Sequence, residues 1–76
     1  MMAFTYEIVK KIATIAEVGG NSVELNIIRY GNKAPKYDLR RWRVKGGVRR
    51  MQKGITLNTE ELHMLRNVLD GMGTNM

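Results

Sequence analysis

Residues 29–53 of the chain read RYGNKAPKYDLRRWRVKGGVRRMQK. This segment contains ten of the thirteen basic residues but only Asp38 of the seven acidic residues. Three of the five aromatic residues, Tyr30, Tyr37 and Trp42, lie among the positive charges. Cations neutralise phosphates and flat rings stack on bases, so the combination is typical of a surface that holds unpaired nucleic acid. Crowded like charges lower stability unless a polyanion binds, which favours this interpretation over a merely solvated face.

The same segment contains a strand signal. Proline gives no amide hydrogen to a sheet, so a third strand is predicted to begin after Pro35 and to cover residues 36–43. Side chains alternate along a strand, so Arg40 and Trp42 share one face and Leu39 points to the other. Residues 44–52 contain two adjacent glycines and no apolar period, which predicts a mobile basic loop before a short fourth strand at 54–57.

Two strands are predicted before this segment, at residues 5–18 and 22–30. The second alternates cleanly, with Val23, Leu25 and Ile27 opposite the even-numbered residues from Glu24 to Tyr30. The first is ambiguous, because its apolar residues fit helical spacing as well as strand alternation. Its β-branched residues and the turn signal Gly19-Gly20-Asn21 favour a strand.

A helix is predicted at about residues 59–70. Asn58 precedes it as a cap and Glu61 follows three positions later, as in a capping box. The apolar residues Leu62, Leu65, Val68, Leu69 and Met72 recur at helical spacing. Gly71 or Gly73 is expected to end the helix, and residues 71–76 to form a frayed tail. The resulting fold class is α+β, with four antiparallel strands followed by one C-terminal helix. The helix should cover one sheet face and leave Arg40 and Trp42 on an open face.

Composition limits the possible functions. Seventy-six residues with 43% hydrophobic content predict one domain over residues 1–76, with a core so small that self-association is expected to add burial. The chain has no cysteine and its single histidine is His63, so no metal site, cofactor or disulfide is expected. No nucleophile with a base and no phosphate loop can be assembled, so we expect no enzyme.

The net charge of +6 and the pI near 10.1 indicate an acidic partner. Nothing at the N-terminus resembles a signal peptide and no apolar run is long enough to span a membrane, so a cytoplasmic protein is expected, nucleoid-associated if bacterial. An anionic membrane surface is disfavoured, because the predicted helix begins with acidic residues. The alternative to nucleic acid is an adaptor whose basic face meets an acidic protein.

Two segments together resemble a known family. Asp38-Leu39-Arg40-Arg41-Trp42 is followed at a fixed distance by Lys53-Gly54-Ile55-Thr56-Leu57-Asn58 at the start of a helix. This order, preceded by Arg29-Tyr30-Gly31, is similar to the positive cofactor four family of single-stranded-DNA-binding transcriptional coactivators, and most similar to its short bacterial members. The resemblance extends over residues 4–71.

The resemblance implies a strongly curved sheet, a homodimer joined through the helix side, and binding of unpaired DNA in transcription regulation or in the handling of melted DNA, with transcription machinery as a further partner. It assigns nucleic-acid contacts to Arg29, Tyr30, Lys33, Lys36, Arg40 and Lys53. The basic pattern itself adds Arg43, Lys45, Arg49 and Arg50 as phosphate contacts, and Trp42 with Tyr30 as base-stacking rings. Better-known members place a tryptophan where this chain has Arg43, so Trp42 either stacks on bases or packs at the strand end. The residues themselves fit DNA and RNA alike.

Overall fold

A computed structural model describes residues 5–73 of the chain. Four strands form one antiparallel sheet in the order β1-β2-β3-β4, and a helix follows. The elements are β1 (Tyr6–Val18), β2 (Asn21–Tyr30), β3 (Lys36–Lys45), β4 (Val48–Leu57) and α1 (Thr59–Met72). The predicted class, four antiparallel strands followed by one helix, is confirmed. Of the predicted frayed tail, residues 71 and 72 are helical and residues 74–76 lie outside the described part.

The basic loop predicted at residues 44–52 is wrong, because this segment forms a hairpin. β3 continues to Lys45 and β4 begins at Val48, and these two residues are paired. Gly46 and Gly47 connect them, with φ angles of 60° and 78°. Two adjacent residues with positive φ give the turn whose twist matches that of the flanking strands, and glycine adopts that conformation without steric penalty. Residues 44–52 show no apolar period because both strands of the hairpin carry cations up to the turn.

Strand β1 has three extra residues relative to its partner β2. The register skips one residue between Ile8 and Lys10, one between Lys11 and Ala13, and one between Thr14 and Ala16, so Val9, Ile12 and Ile15 are bulged. A bulge after every two paired residues produces an apolar period of three, which explains why this sequence fits helix and strand spacing equally. Each bulge bends the strand and increases its twist.

The two sheet faces differ in burial, and the face that was predicted to be open is the more buried one. The helix face, formed by Val23, Leu25, Ile27 and Leu39, is only half-buried under α1, and none of the helix residues is buried. The opposite face, called the inner face below, contains all five residues that are buried in the described part of the chain: Glu24, Asn26, Ile28, Asp38 and Trp42. The alternation phase of Arg40 and Trp42 is therefore correct, but their face is not open.

The sheet curls around its inner face. In the strand register Tyr6 lies beside Tyr30, whereas Trp42 lies beside Ser22, which precedes Tyr30 by eight residues in β2. On a flat sheet that offset alone is about 26 Å. The rings of Tyr6 and Trp42 are nevertheless 5.8 Å apart between centroids. The bulges of β1, and another where β4 passes Arg41, provide the bending that this contact requires.

The start of α1 matches the predicted cap. The Asn58 side chain accepts a hydrogen bond from the Glu61 amide at 2.8 Å, and the Glu61 carboxylate accepts one from the Asn58 amide at 2.9 Å. This capping box satisfies two amides that the helix leaves without partners. Gly73 ends the helix with a φ of 71°.

Gly54 provides a first test of the fold, because β4 passes very close to β3 there. A Cβ at Gly54 would lie 2.1 Å from the Cβ of Arg40 and 2.6 Å from the carbonyl oxygen of Leu39. We expect Gly54→Ala to lower the free energy of unfolding by about 3 kcal/mol or more, measured by urea denaturation. The control is Gly71→Ala in α1, where a Cβ meets nothing within 4 Å. It should leave stability unchanged or raise it by up to about 1 kcal/mol. Wild-type stability in Gly54→Ala would contradict this strand geometry.

Candidate nucleic-acid interface

Asp38 is the centre of a hydrogen-bonded group on the inner face. Its carboxylate accepts two bonds from the Arg40 guanidinium, both 2.8 Å, and one from the Tyr30 hydroxyl at 2.6 Å. Arg40 also donates to the carbonyl of Gln52 at 2.9 Å, beside the β4 bulge. The bonds to Asp38 raise the pKa of Arg40, and burial together with the bond to Asp38 raises the pKa of Tyr30 to about 12. Arg40 is therefore permanently charged but largely engaged within the sheet.

Glu24 is the second buried carboxylate of the inner face. It accepts hydrogen bonds from Arg49 at 2.9 Å, from Ser22 at 2.8 Å and from Asn26 at 3.3 Å. Burial alone would raise its pKa, because a carboxylate loses hydration. The three donors outweigh that effect and lower the pKa of Glu24 to about 2. Glu24 is thus ionised at neutral pH and holds the Arg49 side chain against the sheet from the edge strand β4.

Trp42 lies on the same inner face and is only 1% exposed. The guanidinium carbon of Arg49 lies 4.5 Å from the ring centroid, in a cation–π arrangement, and Tyr6 packs against the ring at a tilt of 55°. The expectation of an exposed ring on an open face is therefore wrong. Of the two roles left open by the sequence, packing within the fold describes the position of Trp42 in this structure.

Exposed cations without an ion pair to any described residue lie at both ends of β3. Lys33 lies in the loop before β3 and Lys36 is its first residue, and we call these two the loop cluster. Three surround the β3–β4 turn, and we call Arg43, Lys45 and Arg50 the hairpin cluster. Two more, Arg41 and Lys53, are exposed at the bulge between these ends. The nine-residue separation from Lys36 to Lys45 corresponds to about 30 Å along a strand, so a ligand that touches both clusters must be extended.

The eleven predicted contact residues thus fall into two groups. Five have partners within the chain: Arg29 with Glu7, Tyr30 and Arg40 with Asp38, Arg49 with Glu24, and Trp42 with Tyr6 and Arg49. Six remain exposed: Lys33, Lys36, Arg43, Lys45, Arg50 and Lys53. An unpaired exposed cation binds a phosphate without first losing a protein partner, so the second group is better placed for first contact.

Sequence reasoning missed three residues that shape this interface. Glu24 and Asn26 are buried on the inner face, where Glu24 pairs with Arg49 and Asn26 donates to Glu24, and Arg41 is an exposed cation between the two clusters. A signal for Glu24 was present, because it alternates in phase with Asn26 in β2 and a carboxylate in a basic protein is expected to have a cationic partner. The register that brings Arg49 to it is set by the hairpin, which the sequence did not predict.

No helix in residues 5–73 is long and apolar enough to cross a membrane. Within the same residues, no three or more His, Cys, Asp or Glu side chains are grouped so that they could bind a metal ion.

Comparison with known proteins gives two matches. The model of the family described as Transcriptional Coactivator p15 (PC4) matches residues 18–68, from the last residue of β1 into α1. An uncharacterized protein of Treponema pallidum (strain Nichols) is 36% identical over 70 residues, which cover 91% of this chain and 80% of the relative. Both matches include the whole of β2, β3 and β4, which hold the inner face and the two cation clusters.

Acid titration tests the role assigned to Glu24. Its pKa is 4.5 ordinarily and about 2 in the fold, so its stabilising effect is complete above pH 4.5 and is lost as the pH falls toward 2. We expect the Glu24→Gln variant to lose less stability than the wild type over this window, by up to about 3 kcal/mol in unfolding free energy. Urea denaturation at pH 5, 4, 3 and 2 measures the difference.

The control for this titration is Glu17→Gln, which neutralises an exposed carboxylate on β1. Its loss of stability with falling pH should follow that of the wild type. Equal acid sensitivity of wild type and Glu24→Gln would contradict the ion pair between Glu24 and Arg49.

Proposed function

This chain belongs to the Transcriptional Coactivator p15 (PC4) family, and from that premise we propose that it binds single-stranded DNA with little sequence preference. We place this activity in the cytoplasm, on the nucleoid if the host is bacterial, in transcription regulation or in the handling of melted DNA. The proposal assigns the chain no catalytic residue and no cofactor.

The observation that carries the proposal is a group of seven exposed cations between the end of β2 and the middle of β4, none of which has an ion-pair partner among the described residues. They are Lys33, Lys36, Arg41, Arg43, Lys45, Arg50 and Lys53. The buried carboxylates Glu24 and Asp38 are each paired with their own arginine, so they do not neutralise these seven. A surface with this excess of positive charge attracts phosphates, and each phosphate it neutralises releases counterions.

The arrangement favours a flexible strand over a duplex. The loop cluster and the hairpin cluster are separated by the length of β3, and the sheet between them is curved and twisted. An unpaired strand bends to follow such a path, whereas a duplex resists bending on this length scale. Tyr30 and Trp42 are the rings we propose for base stacking, which tolerates any base and gives weak sequence preference. Both rings must first become accessible, since Tyr30 is half-buried and Trp42 is buried.

A second part of the proposal is a homodimer formed through the helix side. Between α1 and the sheet lies an apolar groove of about 260 Å³, whose lining includes Ile15, Leu25, Leu39, Leu62, Leu65 and Leu69. More apolar side chains are exposed beyond it on β1 and α1, among them Val18, Val68 and Met72. A chain this small gains stability by covering such a surface with a second copy. Two copies would also place two sets of cations on one assembly.

Neutralising two of the three cations of the hairpin cluster tests the DNA-binding proposal. We expect Arg43→Gln/Arg50→Gln to weaken binding of a labelled oligothymidine and to reduce the slope of log K against log salt by about 1.4, since each lost phosphate contact contributes about 0.7. Fluorescence anisotropy at several salt concentrations measures both quantities, with a duplex of equal length as competitor.

The matched control is Lys10→Gln/Lys11→Gln, which removes the same charge from exposed positions on β1. This control should retain nearly the wild-type slope. Equal losses of affinity and salt slope in the two double variants would show that binding depends on net charge alone, which would contradict a specific role for the hairpin cluster. Failure of the wild-type protein to bind either nucleic acid would overturn the proposal and leave the adaptor for an acidic protein as the better account.

Placing a charge in the apolar groove tests the dimer. Leu69 is about half exposed in the protomer, so Leu69→Glu should fold. Burying its unpaired carboxylate between two copies should weaken dimerisation by at least about tenfold. Sedimentation velocity over a range of protein concentrations measures this. Asn67→Glu, with the same charge change on a residue of α1 that does not line the groove, should remain dimeric. A monomeric wild type, or an unaffected Leu69→Glu dimer, would contradict the assignment.

A further inference from the structure

Arg49 separates the Trp42 ring from solvent. Its guanidinium carbon is 4.5 Å from the ring centroid, the ring is 1% exposed, and the Arg49 side chain itself is 38% exposed. Arg49 belongs to the edge strand β4 and adjoins Arg50, a member of the hairpin cluster. The cover over the only tryptophan is therefore a long, flexible cation that phosphate can reach from outside.

Glu24 holds this cover in place. Its carboxylate accepts the 2.9 Å hydrogen bond from Arg49 and is itself oriented by Ser22 and Asn26. Phosphate and carboxylate compete for the same guanidinium donors, and arginine binds both in a planar, two-pronged geometry. Because the Arg49 side chain is itself 38% exposed, a backbone phosphate can reach its guanidinium and take it from Glu24.

The covered state leaves one donor unsatisfied. The indole N–H of Trp42 is buried and has no hydrogen-bond partner among the described residues. Moving Arg49 outward would uncover the ring face that its guanidinium covers, and an uncovered ring could give this N–H a partner. Opening therefore loses the contacts of Arg49 with Glu24 and the ring, and gains new partners for Arg49 and Trp42.

We propose that Glu24 and Arg49 form a latch over Trp42, which a backbone phosphate opens so that the ring becomes a stacking surface. This inference rests on the proposed function, because it describes how the same interface admits a base. Glu24 acts as a positioning residue: it favours the closed state and so lowers the apparent affinity for single strands. Trp42 then stacks on a base only where a phosphate has already taken Arg49, which couples stacking to an intact sugar–phosphate backbone.

The first test separates phosphate from base. A thymidine 12-mer and an abasic 12-mer with the same backbone are each added at saturating concentration, and acrylamide quenching of Trp42 fluorescence is recorded. The latch predicts weak quenching in the free protein, stronger quenching with the abasic strand, and renewed protection with the thymidine strand. Unchanged quenching with a bound abasic strand would overturn the latch while leaving DNA binding intact. No binding of either strand would overturn the proposed function and the latch with it.

The second test uses the affinity of variants. Glu24→Gln weakens the hold on Arg49, so it should bind the thymidine 12-mer about three- to tenfold more tightly, because more of the free protein is already open. Glu17→Gln makes the same charge change without touching the latch and measures the contribution of net charge. A merely structural Glu24 would give weaker or equal binding relative to Glu17→Gln, which would overturn the proposal.

A third variant keeps the proposal testable if Glu24→Gln does not fold. Arg49→Lys retains the cation but loses the planar group over the ring. It should show stronger acrylamide quenching in the free protein while still binding the thymidine strand. Wild-type quenching in free Arg49→Lys would overturn the latch.

Discussion

The curl of the sheet around its inner face is the constraint on which the rest of this molecule depends. Bulges after every second pair in β1 bend the strand until Tyr6 reaches Trp42, and the face so enclosed contains two buried carboxylates. A buried charge is tolerated only when it is paired and hydrogen-bonded. Asp38 and Glu24 therefore each bind an arginine from their own or a nearby strand, and these bonds connect β2, β3 and β4. The close approach of β4 at Gly54, where a side chain would overlap Arg40, belongs to the same arrangement.

Pairing inside the sheet decides which cations are available outside it. Arg40 and Arg49 are used by the buried carboxylates, whereas the cations of the loop and hairpin clusters form no ion pair with any described residue. The result is a protein whose charge is neutralised where water is excluded and left in excess where a polyanion can approach. The half-buried helix face completes this division, because its exposed apolar residues face away from the carboxylates of the inner face. Along β3, Arg41 and Arg43 follow Leu39 on the helix face, so that face is apolar beside α1 and basic toward the hairpin. We propose the basic part for nucleic acid and the apolar part for a second copy of the chain.

Much of this could be predicted from the sequence, for reasons that lie in single residues. The alternation of Val23, Leu25 and Ile27 indicated β2, Asn58 with Glu61 marked the helix start, and the Arg40–Trp42 phase was correct. Burial could not be predicted, because it depends on the curl and on whether α1 covers a face fully, and neither follows from local periodicity. The hairpin at Gly46-Gly47 was missed since its strands carry cations instead of an apolar pattern. Trp42 was placed on the correct face, but its enclosure by Tyr6 and Arg49 arises from contacts between distant strands.

We propose that the loop cluster and the hairpin cluster bind the nucleic acid and that α1 does not. A ¹H–¹⁵N correlation spectrum of the labelled protein, titrated with a thymidine 12-mer, tests this claim most directly because it reports on every backbone amide except that of Pro35. The account predicts shifts concentrated at residues 31–36 and 41–53, with the amides of α1 unchanged. Shifts concentrated along α1 and the groove beside it would contradict the account and assign the ligand to the apolar face.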